Sequence, residues 1–203
     1  MKLYYMAGAC PLAAHIVLEW TGVRYDSEKL SHDDLKKEAY LRINPLGAVP
    51  ALEVDGSVIT QNAGVLSYLA QAYPDAKLGG DGTPRGDAEV HRWLGFVNSD
   101  IHPAFKPLFG STAYLDDKAA VEKTKIHARQ ALRRLFEIVE TQLTGRDWIA
   151  GRRSVADAYL FVVLRWAHGV KIDLSGLEAI ARYYERLQKD PGVVKALAAE
   201  GLS

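Results

Sequence analysis

An α/β layer followed by a wholly helical region is the fold this chain predicts, and three observations predict it. From Leu3 to Tyr73, short apolar runs alternate with helical periodicities. Tyr73 to Gly86 then carries two prolines and four glycines, the composition of a linker. From Asp87 onward no strand alternation occurs and apolar residues keep helical spacing. The boundary is therefore placed near residue 80, with a first domain over residues 1–80 and an all-α domain over 87–203. A chain of 203 residues is long enough for one large domain or two small ones.

Leu3-Tyr4-Tyr5-Met6 reads as a strand. Leu12, Ala13, Ile16, Val17 and Trp20 then recur at helical spacing, with Gly22 as C-cap. Between them lies Gly8-Ala9-Cys10-Pro11. Pro11 suits the first helical position, which puts Cys10 at the N-cap. A sulfur there faces free N–H groups and the positive end of the helix, and both favour the reactive thiolate. The competing reading is a small buried apolar residue. Cys10 is the only cysteine, so disulfide chemistry at this position must recruit a thiol from outside the chain.

Tyr25 to Leu30 reads as a second strand and Asp33 to Ile43 as a short charged helix. Lys36 and Lys37 on that helix are either solvated or in contact with a ligand. Asn44-Pro45-Leu46-Gly47 is a turn, and Ala48 to Val54 a strand whose Pro50 belongs at its start or edge. Pro50 holds Val49 extended, so Val49 can offer its backbone to a peptide-like ligand, unless the segment is a plain turn. Asp55-Gly56 marks a hairpin into Ser57-Val58-Ile59-Thr60. Asn62 is a candidate N-cap for the helix carrying Val65, Leu66, Leu69 and Tyr73. Gln61 and Asn62 place amides at that N-terminus, either to hold a carboxylate or simply to cap.

In the second region Val90, Trp93, Leu94, Val97 and Ile101 share one helix face, and Pro103 should kink that helix. Asn98, His102 and Lys106 are four apart, hence on one face beside the kink. His102 is the candidate to activate a thiol, against the reading of a satisfied or exposed residue. The other five histidines are given no functional role. Lys118 to Leu143 is a long amphipathic helix. Ser154-Val155-Ala156-Asp157 is a capping box in which Asp157 is structural, and the apolar run Leu160 to Leu164 marks a central helix. Helices over Leu177 to Gln188 and Val193 to Glu200 close the chain.

Formal net charge is zero and the pI near 7, so nothing global draws the chain to nucleic acid or an anionic membrane. No apolar run reaches the roughly 18 residues of a membrane span. A lone cysteine makes a reducing cytoplasm the simplest location.

Tyr5, Gly8-Ala9-Cys10, Asn44-Pro45-x-Gly-x-Val49-Pro50-Ala51-Leu52 and the step Thr60-Gln61-Asn62 together resemble the thioredoxin-like domain of glutathione S-transferases. Cysteine at position 10 is similar to the bacterial beta class. Ile101-His102-Pro103-x-Phe105-Lys106-Pro107-Leu108-Phe109 and Ser154-Val155-Ala156-Asp157 extend the resemblance over the helical domain. It implies Cys10 at the sulfur of glutathione, Pro50 as the cis-proline, Val49 pairing its backbone with the cysteinyl part, and Gln61 and Asn62 on the γ-glutamyl end. His102 and Lys106, with Asn98 on the same face, would approach from the helices, and Lys36 or Lys37 would touch the ligand. Leu12, Phe105 and Phe109 would line the electrophile pocket. Asn62 stands where the family carries serine or glycine, and Leu46 where relatives often carry lysine. The implied protein is a cytoplasmic, homodimeric transferase of detoxification, with glutathione as co-substrate and no metal, acting on a small apolar electrophile. The Cys10 sulfur adds thiol-disulfide exchange: conjugation is expected to be weak, and thiol transfer or peroxide reduction stronger. The alternative is a non-enzymatic protein of the same fold that binds a ligand or a partner protein. A glutathione-dependent dehalogenase or isomerase is a third reading.

Overall fold

The computed structural model describes residues 1–202. Its first part is β1 (Lys2–Tyr5), α1 (Leu12–Thr21), β2 (Asp26–Lys29), a 3-10 turn (Asp34–Lys36), α2 (Glu38–Leu41), β3 (Ala51–Val54), β4 (Ser57–Thr60) and α3 (Asn62–Ala72). The strands form one mixed sheet in the order β2-β1-β3-β4. β1 runs parallel to β2, with Leu3 opposite Ser27, and antiparallel to β3, with Leu3 opposite Leu52. The Asp55-Gly56 turn closes the β3–β4 hairpin, with Val54 opposite Ser57. Both turn residues have positive φ, as a two-residue hairpin turn requires. This is the thioredoxin-like arrangement expected from the sequence.

The second part is helical: α4 (Pro84–Phe96), a π turn (Val97–Ile101), α5 (His102–Ala104), a 3-10 turn (Lys106–Phe109), α6 (Lys118–Leu143), α7 (Val155–Gly169), α8 (Glu178–Gln188) and α9 (Pro191–Glu200). The kink expected at Pro103 takes the form of that π turn. Proline offers no N–H and its ring crowds the carbonyl four residues back, so the turn before it widens. α7 is the central helix, buried without interruption from Val155 to Leu164. α1 is buried continuously from Leu12 to Leu18 because α3, α7 and α9 all pack on it. One apolar core therefore runs through both parts, and each fully buried Leu, Ile or Phe in it adds about 1.5–3 kcal/mol.

The capping box closes as expected. Asp157 Oδ2 accepts from the Ser154 N–H and hydroxyl, both at 2.9 Å. Its Oδ1 accepts from the Ile149 N–H at 3.0 Å and the Tyr183 hydroxyl at 2.9 Å. Burial pushes the Asp157 carboxyl up to about 6, against the pull of these four donors.

Three local expectations are corrected. Asp33 to Ile43 is not one helix: Lys37 is extended at ψ 143° and splits it into a 3-10 turn and one turn of α2. Cys10 is not the N-cap of α1; Pro11 is, already in helical conformation, and Cys10 sits in the turn before it. Asn62 is the first helical residue of α3, and the N-cap is Gln61, at φ 67°. Among the described residues no helix is long and apolar enough to cross a membrane.

Candidate functional site

A cavity between the sheet edge and the helices gathers Cys10, Val49, Pro50, Gln61, Asn62, Asn98, His102 and Lys106, with Asn44, Ala48, Pro103 and Tyr159. Each reaches it for a local reason. The turn of Gly8 to Pro11 carries Cys10 from β1 into α1, and Gly8 takes the left-handed φ of 74° that lets the chain reverse there. The Val49–Pro50 peptide is cis and delivers Val49 to the cavity just before β3. Gln61 and Asn62 stand at the start of α3. The π turn and the residues after it turn Asn98, His102 and Lys106 toward the same space.

The Cys10 sulfur is buried and its S–H donates to the Val49 carbonyl, 3.7 Å away. Burial pushes the thiol up to about 12, with the Glu200 charge adding to the rise; its own backbone N–H pulls the other way. In the unliganded chain Cys10 is thus a thiol and a hydrogen-bond donor, which overturns the thiolate expected from a helix N-terminus.

Asn62 is 4% exposed, and the polar group that its amide meets among the described residues is the Tyr159 hydroxyl. Asn62 lines the cavity, and its amide keeps hydrogen-bonding capacity that the protein leaves unused. Tyr159 lies beside that amide and beside Cys10. Its hydroxyl meets His102 Nδ1 at 2.5 Å. Burial first, and the Lys106 charge second, hold His102 below its ordinary value, so it is neutral at neutral pH. The tautomer with its proton on Nε2 lets the Tyr159 hydroxyl donate to Nδ1 and leaves Nε2–H to donate elsewhere.

Four expected site residues lie elsewhere. Lys36 and Lys37 project from the turn before α2 and pair with Asp33 and Asp34, and Lys37 borders a different hollow, beside Tyr4 and Glu28. Neither lines the cavity of Cys10. Leu12 and Phe105 are fully buried and offer no surface to an electrophile. The pocket role expected of both from the resemblance gives way to packing in the core. Phe109 is half exposed, stacked on Phe105 at 5.6 Å and edge-on to Trp166 at 5.4 Å. Ser154 and Asp157 are structural, remote from the cavity lining. Sequence reasoning missed Tyr159 and Trp166. Tyr159 belongs to the unbroken apolar stretch of α7, and only its hydroxyl, in a helix otherwise packed with hydrocarbon, could have marked it.

Two family models match the chain, the glutathione S-transferase N-terminal domain over residues 8–72 and the C-terminal domain over residues 98–191. A glutathione S-transferase of Xanthomonas campestris pv. campestris is 50% identical over 204 residues, covering 100% of both chains. The structure of a glutathione S-transferase from Xylella fastidiosa superposes with a TM-score of 0.97 at 48% identity, covering 100% of this chain and 99% of that one. A sphingomonad glutathione S-transferase solved in complex with glutathione superposes at 0.88 with 35% identity, covering 100% of both. With the thioredoxin-like sheet, the helical second part and these matches over its whole length, the chain belongs to the glutathione S-transferase family.

Proposed function

We propose that the chain binds glutathione in the Cys10 cavity and joins its sulfur to small apolar electrophiles. The observation that carries this reading is one cavity lined by a thiol, an imidazole, a lysine and the Asn62 amide. The γ-glutamyl end carries a carboxylate and an ammonium group. Asn62 supplies a donor and an acceptor for them, reinforced by the N-terminus of α3. Val49 offers its backbone to the cysteinyl part, as in strand addition. The sphingomonad structure, solved with glutathione, supports the same occupant here.

Chemistry follows from the donors at the sulfur. Glutathione gives up its thiol proton to solvent. The resulting thiolate is stabilised by the Cys10 S–H, by His102 Nε2–H and by the charge of Lys106. The thiolate pair then forms the S–C bond while a leaving group departs with its own electron pair. In this reading residues 1–80 hold glutathione and residues 87–203 supply the electrophile pocket, where exposed Phe109 and neighbouring Trp166 offer an aromatic wall. Thiol transfer through Cys10 belongs to the same reading but needs Cys10 itself deprotonated. Its burial therefore makes that activity the slower one at neutral pH, the reverse of the order the sequence suggested.

Retention on immobilised glutathione, with conjugation and thiol-transfer rates for wild type and Cys10→Ala, tests this. Wild type should be retained, and Cys10→Ala should lower conjugation several-fold and abolish thiol transfer. No retention of the wild type, or both rates unchanged in Cys10→Ala, would overturn it.

A further inference from the structure

α6 ends at Leu143, and Gly145, at a left-handed φ of 72°, turns the chain so that Arg146 and Asp147 come to face α8. Arg182 and Arg186 lie four apart, hence on one face of α8. The three arginines meet around a hollow of about 320 Å³, whose apolar lining is Leu143, Ala179 and the buried Tyr183. The Tyr183 hydroxyl is already engaged, donating to Asp157 Oδ1 at 2.9 Å. Arg186 is fixed in place: its guanidinium lies over the Trp148 ring at 4.3 Å and the Tyr183 ring at 5.5 Å, and it donates to the Asp147 carbonyl. That hydrogen bond leaves most of the guanidinium donors unused. Neither Arg146 nor Arg182 makes a side-chain hydrogen bond or ion pair among the described residues. Other arginines on the helices are paired, Arg92 with Glu89 and Arg133 with Glu137.

Like charges gathered on one hollow repel, and the carboxylates nearby are engaged elsewhere. Glu140 accepts from the Ala179 and Ile180 N–H groups, both at 2.9 Å. Glu89 is paired with Arg92 at 2.6 Å and with Trp93 Nε1 at 3.0 Å, and the charge of Arg146 reaches it only from further off. Asp147 is the one carboxylate in the lining, against three arginines, which leaves the lining a net charge of +2. We propose that this hollow between α6 and α8 binds a phosphate group, carried by a small phosphate monoester or present as the free ion. A phosphate dianion matches the two surplus positive charges, and guanidinium forks suit its oxygens. The arginines ring a hollow instead of following a stripe, which fits a small molecule and not a nucleic-acid backbone. The hollow shares no residue with the Cys10 cavity, so the proposal stands apart from the function proposed above.

Calorimetric titration of the whole chain with inorganic phosphate and with glycerol 2-phosphate, in chloride buffer at fixed ionic strength, tests this. Wild type should bind at least one of the two, and the tighter one names the source of the phosphate group. Arg146→Gln and Arg182→Gln alter exposed side chains and leave the packed Arg186 in place. Each should weaken binding about tenfold or more, the worth of a charge-assisted hydrogen bond. Arg134→Gln removes the same charge from an exposed position on α6 outside the hollow, and should bind as wild type does. Binding of neither probe, hollow variants that bind as tightly as wild type, or an equal loss in Arg134→Gln would each overturn the proposal. None of these measurements uses glutathione, so loss of glutathione binding would sink the functional reading and leave this one standing.

Discussion

Asn62→Leu should make the unliganded protein more stable while removing its ligand. The two side chains have the same number of heavy atoms and the same branching, so leucine replaces the amide atom for atom. In the wild type both amide atoms are closed to solvent, on a residue 4% exposed, and the Tyr159 hydroxyl can satisfy only one of them. An unsatisfied buried polar group costs about 1–3 kcal/mol, and an apolar group of the same shape avoids that cost. The unliganded variant should therefore gain about 1–3 kcal/mol, whereas most substitutions lose stability. For a chain of this size that is roughly 2–4 °C in melting temperature per kcal/mol. Glutathione reverses the order. At a hundred times its dissociation constant it stabilises the wild type by about 2.7 kcal/mol, and the variant, unable to hold the γ-glutamyl end, gains little. Urea unfolding of both proteins, with and without glutathione, reads all four numbers. A variant less stable than wild type without glutathione, or one that glutathione stabilises equally, would refute the reasoning.

Tyr159→Phe removes the hydrogen bond that selects the His102 tautomer; kcat for conjugation should fall about three- to tenfold, the worth of one such bond, with KM for glutathione held, as steady-state kinetics would show. Asp157→Ala leaves the Ile149 and Ser154 N–H groups buried and unpaired, whereas the Ser154 and Tyr183 hydroxyls can turn to other acceptors. The loss should be about 2–4 kcal/mol by urea unfolding, above the roughly 0.5–2 kcal/mol of an ordinary cap. His102 is held below its unfolded value, so the stability it contributes is complete above about pH 6.5 and is lost as pH falls below it. His102→Gln should flatten that part of the stability-against-pH curve, although His168, lowered in the same direction, keeps its own share.

Much of this was legible from residue order because the signals are local. The limits of α6, the hairpin at Asp55-Gly56 and the capping box at Ser154 to Asp157 each depend on residues a few positions apart. So does the convergence of Asn98, His102 and Lys106, which needed only the spacing of four and the proline beside them. What escaped is of two kinds. Periodicity shows which face of a helix is apolar but not whether that face meets core or cavity, which is why Leu12 and Phe105 read as pocket residues. Pairs such as His15 with Glu200, or His102 with Tyr159, are joined only by the folded chain, and the pairing carries no mark in one sequence. Lys37 escaped as well: Asp33 to Ile43 is rich in helix formers, and nothing local marks the extended residue that divides it.

The state of Cys10 turns on a comparison of magnitudes. A helix N-terminus favours a nearby negative charge by about 0.3–1 kcal/mol, and by about 2 in partly buried cases. The rise of the thiol from 9.0 to about 12 corresponds to roughly 4 kcal/mol against ionisation. Position at the start of α1 is therefore outweighed by burial between Val49, Tyr159 and the charge of Glu200. A sulfur in that state donates a hydrogen bond, and its first available acceptor, besides the Val49 carbonyl, is an anionic sulfur placed beside it. The same burial that makes Cys10 a poor nucleophile thus suits it to stabilise another thiolate. In the proposed reading this favours conjugation over thiol exchange at neutral pH.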